Sequence, residues 1–193
     1  MGRIVVHGNV TVDGVVQDPT GEEGFACGGW FERMSEADRA EWAKVEFQEA
    51  LDSAAMLVGR RSYGWFAERW ADRPGDWADQ LRKLPKYIVS STLQDPTGWG
   101  EATVLRGDAV EEVTKLKQSV DGDIIVYASG VLVQTLLEHD LVDEWRLMTH
   151  PIVLGAGARL FPATGGQKPL RLVAVRPVGE SLVLLTYQPA REA

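Results

Sequence analysis

The sequence predicts an α/β protein built on a mixed, mainly parallel sheet with antiparallel C-terminal strands. Apolar runs at Arg3–Val10, Ala55–Val58, Tyr87–Val89 and Ile124–Tyr127 alternate with helical patterns. Strands that alternate with helices pair in parallel through crossover connections. The tail departs from this: Trp145–His150, Leu170–Arg176 and Ser181–Gln188 are strand-like, and the last two, joined by Pro177-Val178-Gly179, read as an antiparallel hairpin. A chain of 193 residues with 45% hydrophobic and 25% charged content suits one globular domain over residues 1–193.

The first strand, Arg3–Val10, ends near Asp13-Gly14, with Val15-Val16 beyond. Asp18–Trp30 contains Pro19, Gly21, Gly24, Gly28 and Gly29 and reads as a long, mobile loop, a kind that is often functional. Ser35 is an N-cap signal, with Asp38 three residues on, and Ala43, Phe47, Ala50, Leu51 and Ala54 follow at the spacing of one helix face. Ala55–Val58 is a short strand, followed by a tryptophan-rich excursion and then by Tyr87–Val89 with the polar Ser90-Ser91-Thr92 behind it. Val110, Val113 and Leu116 mark a shorter helix, Ile124–Tyr127 a fourth strand, and the apolar run after Ser129-Gly130 a last helix. The tryptophans at 65, 70, 77 and 99 read as packing residues, because large aromatics dominate cores and interfaces.

Composition narrows the function classes. No run approaches the length of a membrane span and no secretory signal pattern opens the chain, so a cytoplasmic location is expected, with no membrane partner. The lone Cys27 excludes an internal disulfide, and His7, His139 and His150 show no zinc spacing, so no metal is expected. A formal charge of −8, with no basic stripe, argues against nucleic acid. There is no phosphate loop of the Gly-Lys-Ser/Thr type and no nucleophile elbow at Ala128-Ser129-Gly130. Gly155-Ala156-Gly157 begins like a dinucleotide fingerprint but lacks its third glycine and its early position.

In open α/β sheets ligands sit at the carboxyl ends of the parallel strands. Four segments fall there: Val12-Asp13-Gly14, Gly59-Arg60-Arg61-Ser62-Tyr63, Ser90-Ser91 and Ser129-Gly130. Glycines, hydroxyls and arginines on one edge suit a phosphate-bearing ligand held by backbone N–H groups and helix N-termini. Each also has a plainer reading: Asp13-Gly14 as a turn, Gly59 as a strand end, Arg60 and Arg61 as solvated charges, Ser90-Ser91 as loop and Ser129 as an N-cap. Their predicted coincidence favours the ligand.

Gly-Arg-Xaa-Ser after the second strand, Ser-Ser after the third, Ala-Ser-Gly after the fourth, Val-Thr-Val-Asp-Gly at Val10–Gly14 and HPIVLGAGARLF at His150–Phe161 together resemble the dihydrofolate reductase superfamily. The nearest resemblance is to the reductase domain of the riboflavin-biosynthesis deaminase-reductase and its stand-alone relatives, over nearly the whole chain. It implies a dihydrofolate reductase-like three-layer α/β/α fold, NADPH as hydride donor and a homodimer, with the C-terminal strands as interface. It further implies that Ser129, Gly130, Val131 and Leu132 approach the cofactor pyrophosphate through backbone groups. Gly59, Arg60, Arg61 and Ser62 would bind the phosphates from the other side, and Ser90 and Ser91 would lie near the adenosine 2′-phosphate.

The expected activity is reduction of a small heterocyclic, pyrimidine- or pterin-like compound, the aminouracil reductase of riboflavin biosynthesis being the nearest named activity. No deaminase zinc motif is present, so the role would be reductase only. Asp13 is the candidate for a catalytic polar role, with Trp30, Phe31 and Tyr63 as walls for a flat ring. Where dihydrofolate reductase places a carboxylate on its first long helix this chain has Ala43, and Glu41, Glu46 and Glu49 read as a solvated face. The alternative is a non-catalytic protein that binds a nucleotide or small ligand on the same fold.

Overall fold

The computed structural model describes residues 1–96, 98–161 and 166–190. Among these residues eight strands form one sheet in the order β4-β3-β2-β5-β1-β6-β8-β7. The chain divides into two compact units, Met1–Val6 with Val45–Asp143, and His7–Lys44 with Glu144–Ala193; β1 (Arg3–Thr11) and α1 (Glu36–Asp52) each contribute to both.

The first unit holds β2 (Ser53–Gly59), α2 (Arg60–Trp70), α3 (Asp76–Lys83), β3 (Lys86–Val89), β4 (Ala102–Leu105), α4 (Ala109–Ser119), β5 (Asp123–Tyr127) and α5 (Gly130–Glu138). β2 pairs in parallel with β3 on one side and β5 on the other, and β3 pairs in parallel with β4. A strand flanked on both sides and covered on both faces must be apolar throughout. Ala55, Met56, Leu57 and Val58 are accordingly all buried.

The core of this unit joins Val5, Met56, Val58, Ile88 and Ile125 to Tyr63, Phe66, Leu81 and Trp99. The tryptophan-rich excursion is thus a pair of helices. α2 turns Tyr63 and Phe66 inward, α3 turns Ala78 and Leu81 inward, and α3 carries Asp76 and Asp79 in its first turn and Arg82 and Lys83 in its last, as the helix dipole favours. Arg82 closes α2 by donating to the carbonyls of Trp70 (3.0 Å), Ala71 (3.1 Å) and Arg73 (3.0 Å). Lys86 is fully buried, donates to the Leu84 carbonyl at 2.8 Å and lies 4.6 Å from the Trp99 ring centre.

The second unit holds β6 (Glu144–His150), β7 (Leu170–Val178) and β8 (Leu182–Pro189), with β8 antiparallel to both its neighbours. The hairpin expected there is present, but Pro177 and Val178 lie inside β7, and the turn is built from Gly179, Glu180 and Ser181. A buried carboxylate explains the shift. Asp38, in the first turn of α1, accepts from the N–H groups of Glu180 (2.6 Å) and Ser181 (3.0 Å) and from the Ser181 hydroxyl (2.6 Å).

The loop after β1, expected to be mobile, is also organised by an aspartate. Asp18 is buried, its carboxylate accepts from Glu23 and Phe25 N–H at 3.1 Å each, and its carbonyl accepts from Gly21 and Gly29 N–H. Gly21 and Gly29 have φ of 77° and 74°, a conformation that favours glycine.

Three further readings change. Ala54 belongs to β2, since α1 stops at Asp52. β4 was not foreseen, so Ile124–Tyr127 lies in the fifth strand. The buried side of α1 carries Asp38, Val45, Glu46, Glu49 and Ala50, whereas Ala43 and Leu51 are exposed. Glu46 and Glu49, read as solvated, are therefore buried acids, and only Glu41 of the three faces solvent.

Candidate functional site

Three of the four predicted segments come together in the first unit. Because β3, β2 and β5 are adjacent and parallel, their carboxyl ends lie on one edge. Gly59 ends β2 and Arg60 begins α2 at once; Tyr127 ends β5, and after only Ala128 and Ser129 Gly130 begins α5. The two junctions are hydrogen-bonded to each other. Gly59 N–H donates to Ser129 Oγ (3.1 Å), and Ser129 N–H donates to Ser62 Oγ (3.0 Å).

Ala128 and Ser129 both have positive φ, 50° and 60°. Non-glycine residues there are strained by about 1–2 kcal/mol each, and such strain persists only where surrounding bonds hold it. Here Ser129 Oγ supplies one of them by donating to the Tyr127 carbonyl at 3.0 Å. Ser129 occupies the N-cap position of α5, yet its side chain caps none of the first-turn amides. Neither does any side chain cap the start of α2, whose first turn holds no acid.

The edge therefore presents two uncapped helix N-termini, with Arg60 and Arg61 exposed beside them. Backbone donors, aligned dipoles and guanidinium groups together favour an anion. Space is available as well: apart from its chain neighbours and its own helix, no described atom lies within 4 Å of where a Cβ on Gly130 would be, and Val131 is 77% exposed. Leu132 buries its side chain in the core and offers only its backbone here.

At the next strand the two serines differ. Ser90 is buried, its hydroxyl accepting from Thr92 (3.2 Å) and Leu93 (3.0 Å) N–H, so it shapes the turn; Ser91 is exposed. Ser90 N–H donates to the Leu105 carbonyl, which brings Arg106, the first residue beyond β4, to the same edge. Arg106 donates to the Gln94 carbonyl at 2.9 Å. Sequence reasoning passed over this arginine because it passed over β4; the short run Ala102–Leu105 ending in Arg-Gly-Asp was the available signal.

The fourth segment belongs to the second unit. Asp13 sits in a turn in which Thr11 N–H donates to the Val15 carbonyl and Gly14 has φ 80°. Its carboxylate accepts from the Thr11 hydroxyl (2.7 Å) and from Gly155 (2.9 Å) and Leu154 (3.2 Å) N–H. These donors, the Thr11 hydroxyl foremost, lower its pKa to about 2. The residue expected to play the catalytic role is thus an ionised anchor for the segment after β6, and near neutrality it has no proton to deliver.

The proposed aromatic walls are packed. Trp30 is 2% exposed, and its indole N–H donates to the Gln17 carbonyl at 3.0 Å. Tyr63 is buried in the core of the first unit and donates to the Pro96 carbonyl at 2.9 Å, so it offers no ring face. Phe31 is half-buried and stacks on His150 at 5.2 Å between ring centres.

That contact leads to a cluster not foreseen from sequence. His150 Nε2 lies 3.1 Å from Asn9 Oδ1, which also accepts from the Trp42 indole N–H at 2.9 Å. With Asn9 oxygen as acceptor, Nε2 carries the His150 proton. Burial, reinforced by His7, lowers the His150 pKa to about 4, so the ring is neutral near pH 7.

The parallel β2-centred edge and the antiparallel hairpin define the dihydrofolate reductase-like class of fold. A pyrimidine reductase-like protein from Corynebacterium diphtheriae superposes with a TM-score of 0.68 at 13% identity, covering 98% of this chain and 92% of that one. Dihydrofolate reductase from Enterococcus faecalis, complexed with NADP(H), superposes with a TM-score of 0.63 at 15% identity, covering 98% and 97%. The uncharacterized protein YyaP of Bacillus subtilis (strain 168) is 29% identical over 190 residues, 96% of this chain and 94% of that protein. The model of the RibD C-terminal domain matches residues 3–184, and the chain belongs to that family.

Proposed function

We propose that this protein is an NADPH-dependent reductase of a small pyrimidine- or pterin-like heterocycle, with the aminouracil reductase of riboflavin biosynthesis as its nearest named activity. The observation that carries the reading is the pair of hydrogen-bonded, uncapped helix starts at Gly59–Ser62 and Ser129–Leu132, open to solvent at Gly130. That donor set fits a pyrophosphate. The membership in the RibD C-terminal family and the NADP(H) bound to the Enterococcus relative support the choice of nucleotide.

In this reading Gly59, Ser62, Gly130, Val131 and Leu132 hold the pyrophosphate, the last three through backbone N–H groups. Arg60 and Arg61 supply positive potential. Ser91 and Arg106, at the ends of the next two strands, take the 2′-phosphate; adjacent strands lie about 4.8 Å apart, which spaces these groups successively further from Gly59. Ser90 and Ser129 act by shaping their turns.

When bound, NADPH supplies the hydride, and the protein must supply orientation and a proton. Asp13 is held ionised, so it fixes the segment after β6 and leaves the proton to another acid. The buried α1 carboxylates Glu46 and Glu49 are the candidates. Phe31, the half-buried ring of the predicted set, is the one that can still flank a flat substrate.

The protein is proposed to act in the cytoplasm as a homodimer. Among the described residues no helix is long and apolar enough to cross a membrane, and Cys27 is a free thiol.

The first test is a titration with NADPH and with NADH, followed by tryptophan fluorescence and by melting temperature. Tighter binding of NADPH is expected, with the preference reduced by Arg60→Ala, Ser91→Ala or Arg106→Gln. Binding of neither nucleotide overturns the reading. Tight NADPH binding without turnover of any pyrimidine or pterin in a broad panel favours a non-catalytic binding protein.

A further inference from the structure

The cluster around His150 has a polar centre that the proposed reaction leaves unused. Asn9, near the end of β1, meets Trp42 of α1 and His150 of β6, and all three belong to the second unit together with Trp30 and Phe31. An indole N–H can only donate, so the Asn9 atom 2.9 Å from it is the amide oxygen. The His150 Nε2 proton takes the second lone pair of that oxygen at 3.1 Å. The imidazolium form of His150 also donates from Nε2, so the amide keeps one orientation in either protonation state.

With its oxygen held by two donors, the Asn9 side chain has only donors left to give. Its Nδ2 carries two protons, so it can serve the protein and a ligand at once. Asn9, Phe31 and Trp42 are half-buried, whereas Trp30 and His150, which pack on Phe31 at 4.9 and 5.2 Å between ring centres, are buried. Trp30 also lies edge-on to His150 at 4.9 Å, and Phe31 lies 5.6 Å from Trp42. Partly exposed rings backed by buried ones, beside one amide of fixed orientation, have the composition of a subsite for a flat heterocycle: apolar area with a few placed polar groups.

We infer that Asn9 is a specificity-determining residue, donating from Nδ2 to a ring carbonyl oxygen of the substrate, and that it selects oxo heterocycles over their amino counterparts. An amino group in place of the carbonyl brings a proton against a donor, and the Asn9 oxygen is turned away and occupied. Discrimination then comes from the mismatch as much as from the lost bond. Trp42 and His150 are positioning residues, since each acts through the Asn9 oxygen. This selectivity rests on the heterocycle-reductase reading above and narrows its substrate to a ring bearing a carbonyl group.

The test measures binding of lumazine, a dioxo pteridine, and of the diamino pteridine substituted at the same two positions. Wild-type protein, Asn9→Asp and Asn9→Ala are compared with and without NADPH, and ring fluorescence reads the affinity. Wild type is expected to prefer lumazine by roughly tenfold or more, the scale of a hydrogen bond lost with its donor left unpaired. Asn9→Asp keeps an oxygen for Trp42 and His150 but puts an acceptor where the amide nitrogen was, so the preference inverts. Asn9→Ala strands both donors, lowers the Tm and abolishes the preference. A purely structural Asn9 would change the two affinities together and leave their ratio alone. Direct contact is read from the Asn9 side-chain NH2 resonances, assigned by their absence from Asn9→Asp, which should move when lumazine is added.

A folded Asn9→Asp protein with the wild-type ratio of affinities overturns the assignment and leaves the reductase reading standing. Wild-type protein that binds NADPH but neither ring, or both rings equally, overturns it as well. Lumazine binding that depends on Asn9 in a protein without affinity for either nicotinamide nucleotide keeps the subsite and removes the nucleotide reading. If wild type binds neither nucleotide nor ring, both fall.

Discussion

His150 is a residue whose chemistry follows from where it is buried. Its folded pKa, about 4, lies below its ordinary 6.5, chiefly because burial penalises the charged ring. Between those values the unfolded chain binds more protons than the folded one, so stability is present above pH 6.5 and is lost as pH falls towards 4. The slope from this one group approaches about 1.4 kcal/mol per pH unit within the window. Urea unfolding of wild type and His150→Gln at successive pH values should show that slope in the first and its absence in the second; identical pH profiles would remove His150 as the cause. Asp13 acts in a lower window. Its folded pKa is depressed from 3.8 to about 2, so its contribution is lost only as pH falls through that range. At this scale the sequence was a partial guide. The residues predicted for a phosphate edge after β2, β3 and β5 are adjacent where strand order required it, because glycine and hydroxyl punctuation after a strand is a local signal. The partners of Asp13, Ser90 and Ser129 were not legible, because a carboxylate or hydroxyl satisfied by distant backbone groups leaves no periodic trace.

Among the elements, α1 shows most clearly where periodicity misleads. Counting apolar residues selected Ala43, Phe47, Ala50, Leu51 and Ala54; Ala50 is buried and Phe47 half-buried, but Ala43 and Leu51 are exposed, and the buried side also bears Asp38, Glu46 and Glu49. Hydrophobic pattern identifies a core face only when that face is apolar, and buried acids invert the signal. Asp38 shows what such a buried acid does, since it receives three hydrogen bonds from the turn that joins β7 to β8. Gly179 in that turn has φ 63°, and a Cβ there would meet the Asp38 carboxylate. Asp38→Ala strands buried donors, at roughly 2–4 kcal/mol. In a chain of this size that amounts to a fall in Tm of roughly 5–15 °C. Asp38→Asn keeps an acceptor oxygen and should recover about half. A Tm for Asp38→Ala within a degree or two of wild type would show that the turn stands without it. The strands were easier to foresee, because β-branched runs such as Arg3–Thr11 and Asp123–Tyr127 carry their own signal. β4 escaped because four half-buried residues are too few to show a period.

For the whole molecule, the proposed assembly turns on an irregularity in β7. Strict alternation along Leu170–Val178 would put Leu172 and Val175 on opposite faces. The pairing with β8 shifts between Leu172 and Ala174, so Leu172 lies opposite Tyr187 and Val175 opposite Leu185. Tyr187 and Leu185 are on one face, and the bulge therefore gathers Leu172 and Val175 beside them, while Arg171 and Arg176 go to the other face. Leu172 and Val175 are 50% and 55% exposed, at the edge of the sheet. Contiguous exposed apolar surface of this kind marks a contact site more often than a solvated one. For a chain with net charge −8, a face without charged residues is also one on which two copies can meet without opposing like charges. The proposed homodimer is therefore expected to bury this face, and Val175→Lys together with Leu172→Lys should convert it to monomer. Sedimentation velocity over a hundredfold range of concentration reads the change, and far-UV circular dichroism checks that the fold is retained. A folded variant that remains dimeric places the interface elsewhere. A wild-type protein that is monomeric throughout removes the dimer from the proposal and leaves the proposed nucleotide edge, whose residues all lie within the first unit, unaffected.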